Sequence, residues 1–288
     1  MQLRGFRSIH FFFLALLVLL LGVVLLVLSR RPVGNYSDPA GPIYEDNYSE
    51  TPAEFDGTLR VVAWNMHYGE KLEQAITTLQ DAEELRMADV LLLQEMNATG
   101  VEQLAQALQY NYVFYPAAFH RQRREEYGNA ILSKWPIRDS AKIVLPNWLT
   151  GWLQSRNSAR AVINVGEMDV SVYSIHLDTT WMIPWWGSSQ GEFLAEHVDN
   201  RQELVVMGGD FNTWTSDSID SLENGMQKAG MERLSQGSGY TFEYYGMQLT
   251  LDHIFSTKGF DYQAGVYRQT DASDHYPLWA EITIPIPE

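Results

Sequence analysis

The chain has 288 residues, 45% hydrophobic and 12% aromatic, enough apolar side chain for a sizeable core and too much for an unstructured polymer. Cysteine is absent, which excludes disulfides and thiolate chemistry. All 36 acidic residues but only 16 of the 20 basic ones follow Pro32, so the bulk of the chain is acidic: the wrong sign for an extended nucleic-acid footprint, and compatible with a solvated surface or dependence on a divalent cation.

Residues 1–8 form a short basic segment. Phe11 to Leu28 then runs 18 residues without a charge or a proline, roughly 27 Å as a helix and close to the hydrocarbon thickness of a bilayer. This predicts a transmembrane anchor over residues 9–29. A cleaved signal peptide would have a shorter apolar run and small residues at its end, where this chain has Ser29-Arg30-Arg31-Pro32. Arginines flank the run on both sides, so the orientation bias is weak. The expectation is a single-pass membrane protein with its catalytic domain on the non-cytoplasmic side. Residues 30–58, rich in Pro, Gly, Asn, Asp, Ser and Tyr, read as a linker, and residues 59–286 as the domain it carries.

From Leu59 apolar runs alternate with amphipathic ones. Val61 to Asn65 is a strand. Lys71 to Leu85 places Leu72, Ala75, Ile76, Leu79 and Ala82 at helical spacing, Val90 to Glu95 is a strand, and Val101 to Leu108 is a second helix. Strands follow at Tyr112 to Tyr115, Ala130 to Leu132 and Lys142 to Leu145. Ala161 to Val165 and Val170 to Ile175 form a hairpin around Gly166-Glu167. A helix covers Glu192 to Val198, a strand Leu204 to Met207, a helix Ser218 to Ala229 with Gly230 as its stop, and strands close the chain from Leu251 to Ile284. Mixed sheets packed face to face with helices outside fit this order.

Several strand ends carry side chains suited to protons, metals or phosphate: Asn65, Glu95, His176, Asp210 with Asn212, Asp252, and Asp274-His275. One polar residue where a strand leaves the core is ordinary. Six such ends, spaced by helices and all polar in the same way, point to one convergent site. His253 is left out of it, because the strand period sends it to the face opposite Asp252. His67 lies two residues beyond Asn65 and on its face, with a structural role the plainer reading.

In order, Trp64-Asn65, Gln94-Glu95, Tyr127-Gly128-Asn129-Ala130-Ile131-Leu132-Ser133, Ile175-His176-Leu177, Gly209-Asp210-Phe211-Asn212, Leu251-Asp252-His253-Ile254-Phe255 and Ser273-Asp274-His275 resemble the motifs of the endonuclease/exonuclease/phosphatase superfamily, the deoxyribonuclease-I-like fold. The resemblance spans Leu59 to about Ile284. It implies an α+β fold, a four-layered αββα sandwich of two mixed β-sheets flanked by helices, here preceded by one N-terminal transmembrane helix. It also implies phosphoester hydrolysis assisted by Mg²⁺ or Mn²⁺, hard cations suited to carboxylate and carboxamide oxygens.

The resemblance further implies roles. Glu95, Asn65 and Asp274 would hold the metal. Asp210 would orient or deprotonate the attacking water. His176 and Asn212 would contact phosphate oxygens with Asn65, and His275 would stabilise developing charge while Asp252 orients it. Asn129 becomes a candidate at the edge of the site.

Substrate choice falls to loops. Arg121, Arg123 and Arg124, the densest basic cluster of the domain, could receive an anionic substrate. Trp181 to Gly187, and Trp148 and Trp152 with their leucine neighbours, could meet a bilayer or a lipid, or could pack on the domain. The leading expectation is a membrane-tethered, nuclease-like phosphodiesterase with no obligate protein partner. The alternatives are a lipid phosphodiesterase of sphingomyelinase or phosphoinositide type and a catalytically silent binding module.

Overall fold

The computed structural model describes residues 13–23, 33–49, 51, 53–146, 154–166, 168–179, 185–198 and 202–285, without the side chains of 33 and 185–188. Residues 13–23 are helical (α1). Among the described residues no helix is long and apolar enough to cross a membrane. That finding corrects the expectation of a transmembrane anchor, and with it the single-pass membrane localisation and the non-cytoplasmic placement.

Among the described residues sixteen strands and four further α-helices follow. They are β1 (Val33–Asn35), β2 (Tyr44–Asp46), β3 (Thr58–Asn65), α2 (Leu72–Asp81), β4 (Val90–Met96), α3 (Ala98–Leu108), β5 (Asn111–His120), β6 (Glu125–Ser133) and β7 (Ile137–Val144). Then come β8 (Asn157–Val165), β9 (Met168–His176), α4 (Trp185–Glu196), β10 (Leu204–Asp210), α5 (Ser216–Lys228), β11 (Met231–Arg233), β12 (Phe242–Tyr244), β13 (Met247–Leu249), β14 (Asp252–Thr257), β15 (Asp261–Val266) and β16 (Leu278–Thr283).

One sheet runs β1-β5-β6-β4-β3-β16-β15 with β2 also on β5, the other runs β11-β14-β10-β9-β8-β7, and β12-β13 is a separate hairpin. Both large sheets are mixed: β3 lies parallel to β4 and β9 parallel to β10 amid antiparallel pairs. Residues 30–58, expected to be a free linker, in part add strands to the first sheet, since β1 and β2 both pair with β5.

The strand period explains the layering. In β3, Leu59, Val61 and Ala63 enter a core shared with Ala159, Ala161, Val172 and Val206 of the facing sheet, while Val62 and Trp64 pack outward with Ala75, Leu79, Val101 and Leu104 of α2 and α3. In β10, Leu204 and Val206 face inward, and Val205 and Met207 meet Leu194, Leu222 and Met226 of α4 and α5. A strand buried on both faces has to read as an unbroken apolar run, as these do. The outcome is helices, sheet, sheet, helices.

Local signals set the helix ends. Asn97 caps α3 by accepting from Gly100 N at 2.7 Å. Thr215 and Ser218 cap α5 reciprocally, and Gly230, at φ 81°, follows its last turn.

Candidate active site

β10 carries the centre of the site. Gly209 has φ 144°, and a Cβ there would lie 2.1 Å from the Ile175 carbonyl oxygen and 2.8 Å from Gln94 Nε2. Only glycine lets β10 come this close to β9 and to the opposite sheet, and that approach sets the next residue. The register then aligns Asp210 with His176 of β9 on one side and Asp252 of β14 on the other. Across the sandwich Asn65 ends β3 opposite Gln94 of β4, so the ends of both sheets meet at one edge.

At that edge the side chains lie within contact distance of one another. Asn65 Nδ2 donates to Asp210 Oδ2 at 3.0 Å, and the backbone N–H of Asn212 donates to Asp210 Oδ1 at 2.9 Å. His176 Nε2 lies 3.4 Å and His275 Nε2 3.8 Å from Asp210 Oδ2. His275 Nδ1 pairs with Asp252 Oδ2 at 2.8 Å, and Phe242 sets its ring 4.9 Å from the imidazole. Trp64 Nε1 donates to the His275 carbonyl at 2.9 Å, and the Ser273 hydroxyl donates to the Asn65 carbonyl at 2.7 Å. The segment bearing Asp274 and His275 is thereby tied to the end of β3.

Glu95 sits in a β-bulge of β4, where the register against β6 shifts between Leu93 and Met96, and its φ is +56°. For a residue with a Cβ that conformation is unfavourable, and strain of this kind gathers at functional sites. The Tyr127 hydroxyl donates to Glu95 Oε1 at 3.2 Å. At the mouth, half-exposed His67 pairs its Nδ1 with Asp274 Oδ1 at 3.0 Å, beside a groove of about 550 Å³ lined in part by Glu70, Glu243, Tyr245 and Tyr276.

Burial shapes the charges. It drives the Asp210 carboxyl upward, against the opposing pull of His275 and with help from Asp252. His176 is pushed well below the usual histidine range by burial, with Arg156 and His275 adding repulsion. Burial alone would lower His275 too, but the charge and hydrogen bond of Asp252, joined by Asp210 and Asp274, override it and raise the imidazole to about 10. The site therefore holds one neutral and one cationic histidine on either side of a reluctant carboxylate.

Among the sequence candidates, the structure brings together Asn65, Glu95, His176, Asp210, Asn212, Asp252, Asp274 and His275. Asn129 is buried, and its Nδ2 donates to the carbonyl and side-chain oxygens of Asn157, a link between the sheets. Arg121 and Arg124 stay exposed on the β5–β6 turn, and only Arg123 reaches back, with Nη2 2.6 Å from Glu70 Oε1 and its guanidinium 3.9 Å over the Tyr68 ring. The tryptophan segments fall on 147–153, 180–184 and the side chains of 185–188, outside the described residues.

Arg156 was not anticipated. Its side chain is 12% exposed and bonds to Tyr127 and His176. A signal existed in the hairpin: β8 and β9 pair Val165 with Met168 and Ser158 with Ile175, so counting outward from the turn brings Arg156 beside the end of β9.

A divalent cation suits the donor chemistry, since Glu95 and Asp274 offer carboxylates and Asn65 a carboxamide, all hard oxygen donors. Among the described residues no three His, Cys, Asp or Glu side chains form a ligating group.

The family model described as Endonuclease/Exonuclease/phosphatase family matches residues 62–275. A UPF0294 protein of Vibrio vulnificus (strain CMCP6) is 27% identical over 124 residues, 43% of this chain and 43% of the relative, so the match spans less than half of that protein's length. A UPF0294 protein of Vibrio campbellii is 24% identical over 240 residues, covering 80% of this chain and 79% of the relative. Among solved structures, an endonuclease/exonuclease/phosphatase from Beutenbergia cavernae superposes with a TM-score of 0.66 at 21% identity, over 79% of this chain and 72% of the other. D. rerio TDP2 complexed with single strand DNA product gives 0.64 at 18% identity, over 79% and 99%. At these identities the solved structures show the fold.

Proposed function

Because the chain belongs to the endonuclease/exonuclease/phosphatase family, whose members hydrolyse phosphoesters and typically use divalent metal ions, we propose that it is a nuclease-like phosphodiesterase with Asp210 at its reaction centre. The observation that carries this reading is the single Asp210 carboxylate held between Asn65, Asn212, His176 and His275 at the joined edge of both sheets.

Asp210 accepts a proton from, or orients, the water that attacks phosphorus, and its raised affinity for protons suits a base working near neutral pH. His176 and Asn212 donate hydrogen bonds to phosphate oxygens. His275, kept cationic and oriented by Asp252, faces the charge that grows on the phosphoryl group. Glu95, Asn65 and Asp274 would hold Mg²⁺ or Mn²⁺, which would supply Lewis-acid polarisation when bound. The single-strand DNA product in the D. rerio protein of this fold makes nucleic-acid diesters the first substrates to try.

The test is hydrolysis by the purified chain of single- and double-stranded DNA, RNA and a generic diester with Mg²⁺, Mn²⁺ or EDTA, with His275→Ala as blank. Metal-dependent turnover that vanishes in the blank supports the reading. Metal binding without turnover on any diester removes it in favour of a binding role.

A further inference from the structure

Arg156 stands immediately before β8, behind His176 as seen from Asp210. Its Nη1 bonds to the Tyr127 hydroxyl and lies 3.2 Å from His176 Nδ1. Asp178 Oδ1 approaches its Nε at 3.5 Å, and the Tyr127 ring lies 5.6 Å from the guanidinium carbon. Asp178 is itself held by Gln190 of α4, whose Nε2 donates to Asp178 Oδ2 at 3.1 Å and whose Oε1 accepts from the Asp178 backbone N–H at 2.8 Å. Side chains from β6, from the end of β9 and from the chain leading to α4 thus fix this guanidinium in place.

A guanidinium donates hydrogen bonds and accepts none. That one-sidedness sets the direction of the bonds around it. His176 Nδ1 faces Nη1 and has to accept, which places the ring proton on Nε2. An imidazolium, or the opposite tautomer, would set an N–H against another N–H. The Tyr127 hydroxyl also accepts from Arg156 and lies 3.3 Å from His176 Nδ1, but the single lone pair of Nδ1 is already taken by Arg156, so the hydroxyl's own proton goes to Glu95 Oε1 at 3.2 Å. His176 Nε2 then presents its N–H toward Asp210 Oδ2 at 3.4 Å, with Glu95 Oε1 at 3.9 Å.

We propose that Arg156 is a positioning residue: it holds His176 in the Nε2–H tautomer, so that His176 offers a fixed hydrogen-bond donor to a phosphate oxygen, and it aims the Tyr127 hydroxyl at Glu95. The catalytic consequence rests on the phosphodiesterase reading, whereas the tautomer can be read without it. Charge alone does not satisfy the requirement. The ammonium of a lysine is a point donor on a flexible stem and cannot serve Tyr127 and His176 from one rigid fork.

The test has two readouts on the full chain. The first is the ¹⁵N spectrum of labelled histidine in metal-free protein near neutral pH, with His176 assigned through His176→Gln. The wild type should show a protonated Nε2 and an unprotonated Nδ1, and Arg156→Met should show a mixture or the reverse. The second is steady-state turnover of a diester. Arg156→Met and Arg156→Lys should lower kcat by about 10²-fold, with KM within about threefold, and added guanidinium ion should restore part of kcat in Arg156→Ala. A purely structural arginine would give no such rescue. Should Arg156→Met fail to fold, Arg156→Lys and Asp178→Asn carry both readouts. Wild-type Nδ1 protonation, or a retained Nε2–H tautomer with full kcat in Arg156→Lys, would overturn the proposal. Absence of any turnover in the wild type would remove the functional reading and leave the tautomer to the spectrum.

Discussion

Asn65 Nδ2 donates to Asp210 Oδ2 at 3.0 Å, and the bond crosses from the end of β3 in one sheet to the end of β10 in the other. Both residues are about 2% exposed or less, so removing the donor takes the shortest hydrogen bond from a buried carboxylate oxygen and leaves it the longer approaches of His176 and His275. Asn65→Ala should cost about 1–3 kcal/mol of stability and lower turnover by about 10²-fold or more. Urea unfolding and steady-state kinetics measure the two effects. Activity close to the wild type would show that the cross-sheet bond does not set the carboxylate.

Asp210→Asn keeps the volume and loses the base. We expect an unchanged far-ultraviolet circular dichroism spectrum and a loss of turnover of about 10²–10⁴-fold, the range for a general base. A variant that turns over at the wild-type rate would move the base elsewhere.

Glu95→Gln preserves the shape at the bulge and removes one charge from the expected metal donors. Its activation curve should move to higher Mn²⁺ concentration by about tenfold or more, the scale of altered metal shells, and EDTA should abolish wild-type turnover. An unshifted activation curve would exclude Glu95 as a metal ligand.

His253 gives a pH prediction. It is 0% exposed and shares its Nε2 with Thr213 Oγ1 at 2.7 Å. Burial, and then the charge of Arg233, push its pKa down to about 3. Below about pH 6.5 the unfolded chain takes up a proton that the folded chain refuses, so stability falls as the pH drops from there toward about 3. The slope from this one group approaches about 1.4 kcal/mol per pH unit. His253→Gln should flatten the acid side of a stability profile taken by urea unfolding, and parallel profiles for the two chains would refute the assignment.

Two glycines should respond in opposite directions. Gly209→Ala sets a Cβ 2.1 Å from the Ile175 carbonyl at φ 144°, and should cost more than about 3 kcal/mol or prevent folding. Gly225 lies within α5 with nothing within 4 Å of its would-be Cβ, so Gly225→Ala should gain about 0.5–1 kcal/mol. Thermal melts decide both, and a tolerated Gly209→Ala would mean that β9 and β10 can part.

The layering could be read from sequence because each central strand is apolar on both faces and each motif residue stands where such a run stops. Val61 to Asn65 and Leu204 to Asp210 show it directly. Asn129 is likewise polar in an apolar run, but its partner Asn157 comes from the facing sheet, and strand periodicity carries no information about which polar groups meet across a sandwich. Arg156 was passed over because it lies at a loop boundary, where only the hairpin register reveals its neighbour. In the N-terminal run, length and composition suggested a span, whereas among the described residues no helix is long and apolar enough to form one. Tyr44 and its neighbours looked like linker because edge strands of three residues leave almost no periodic trace.

The conformation of Glu95 bears on how this site can drift. At φ +56° a glycine or an asparagine would suit the backbone of the bulge better than glutamate does. A library screened for thermal resistance alone should therefore enrich Gly or Asn at position 95 and lose hydrolysis as it does so, whereas a library screened for turnover should return Glu. The position would then record which of the two pressures a lineage has been under.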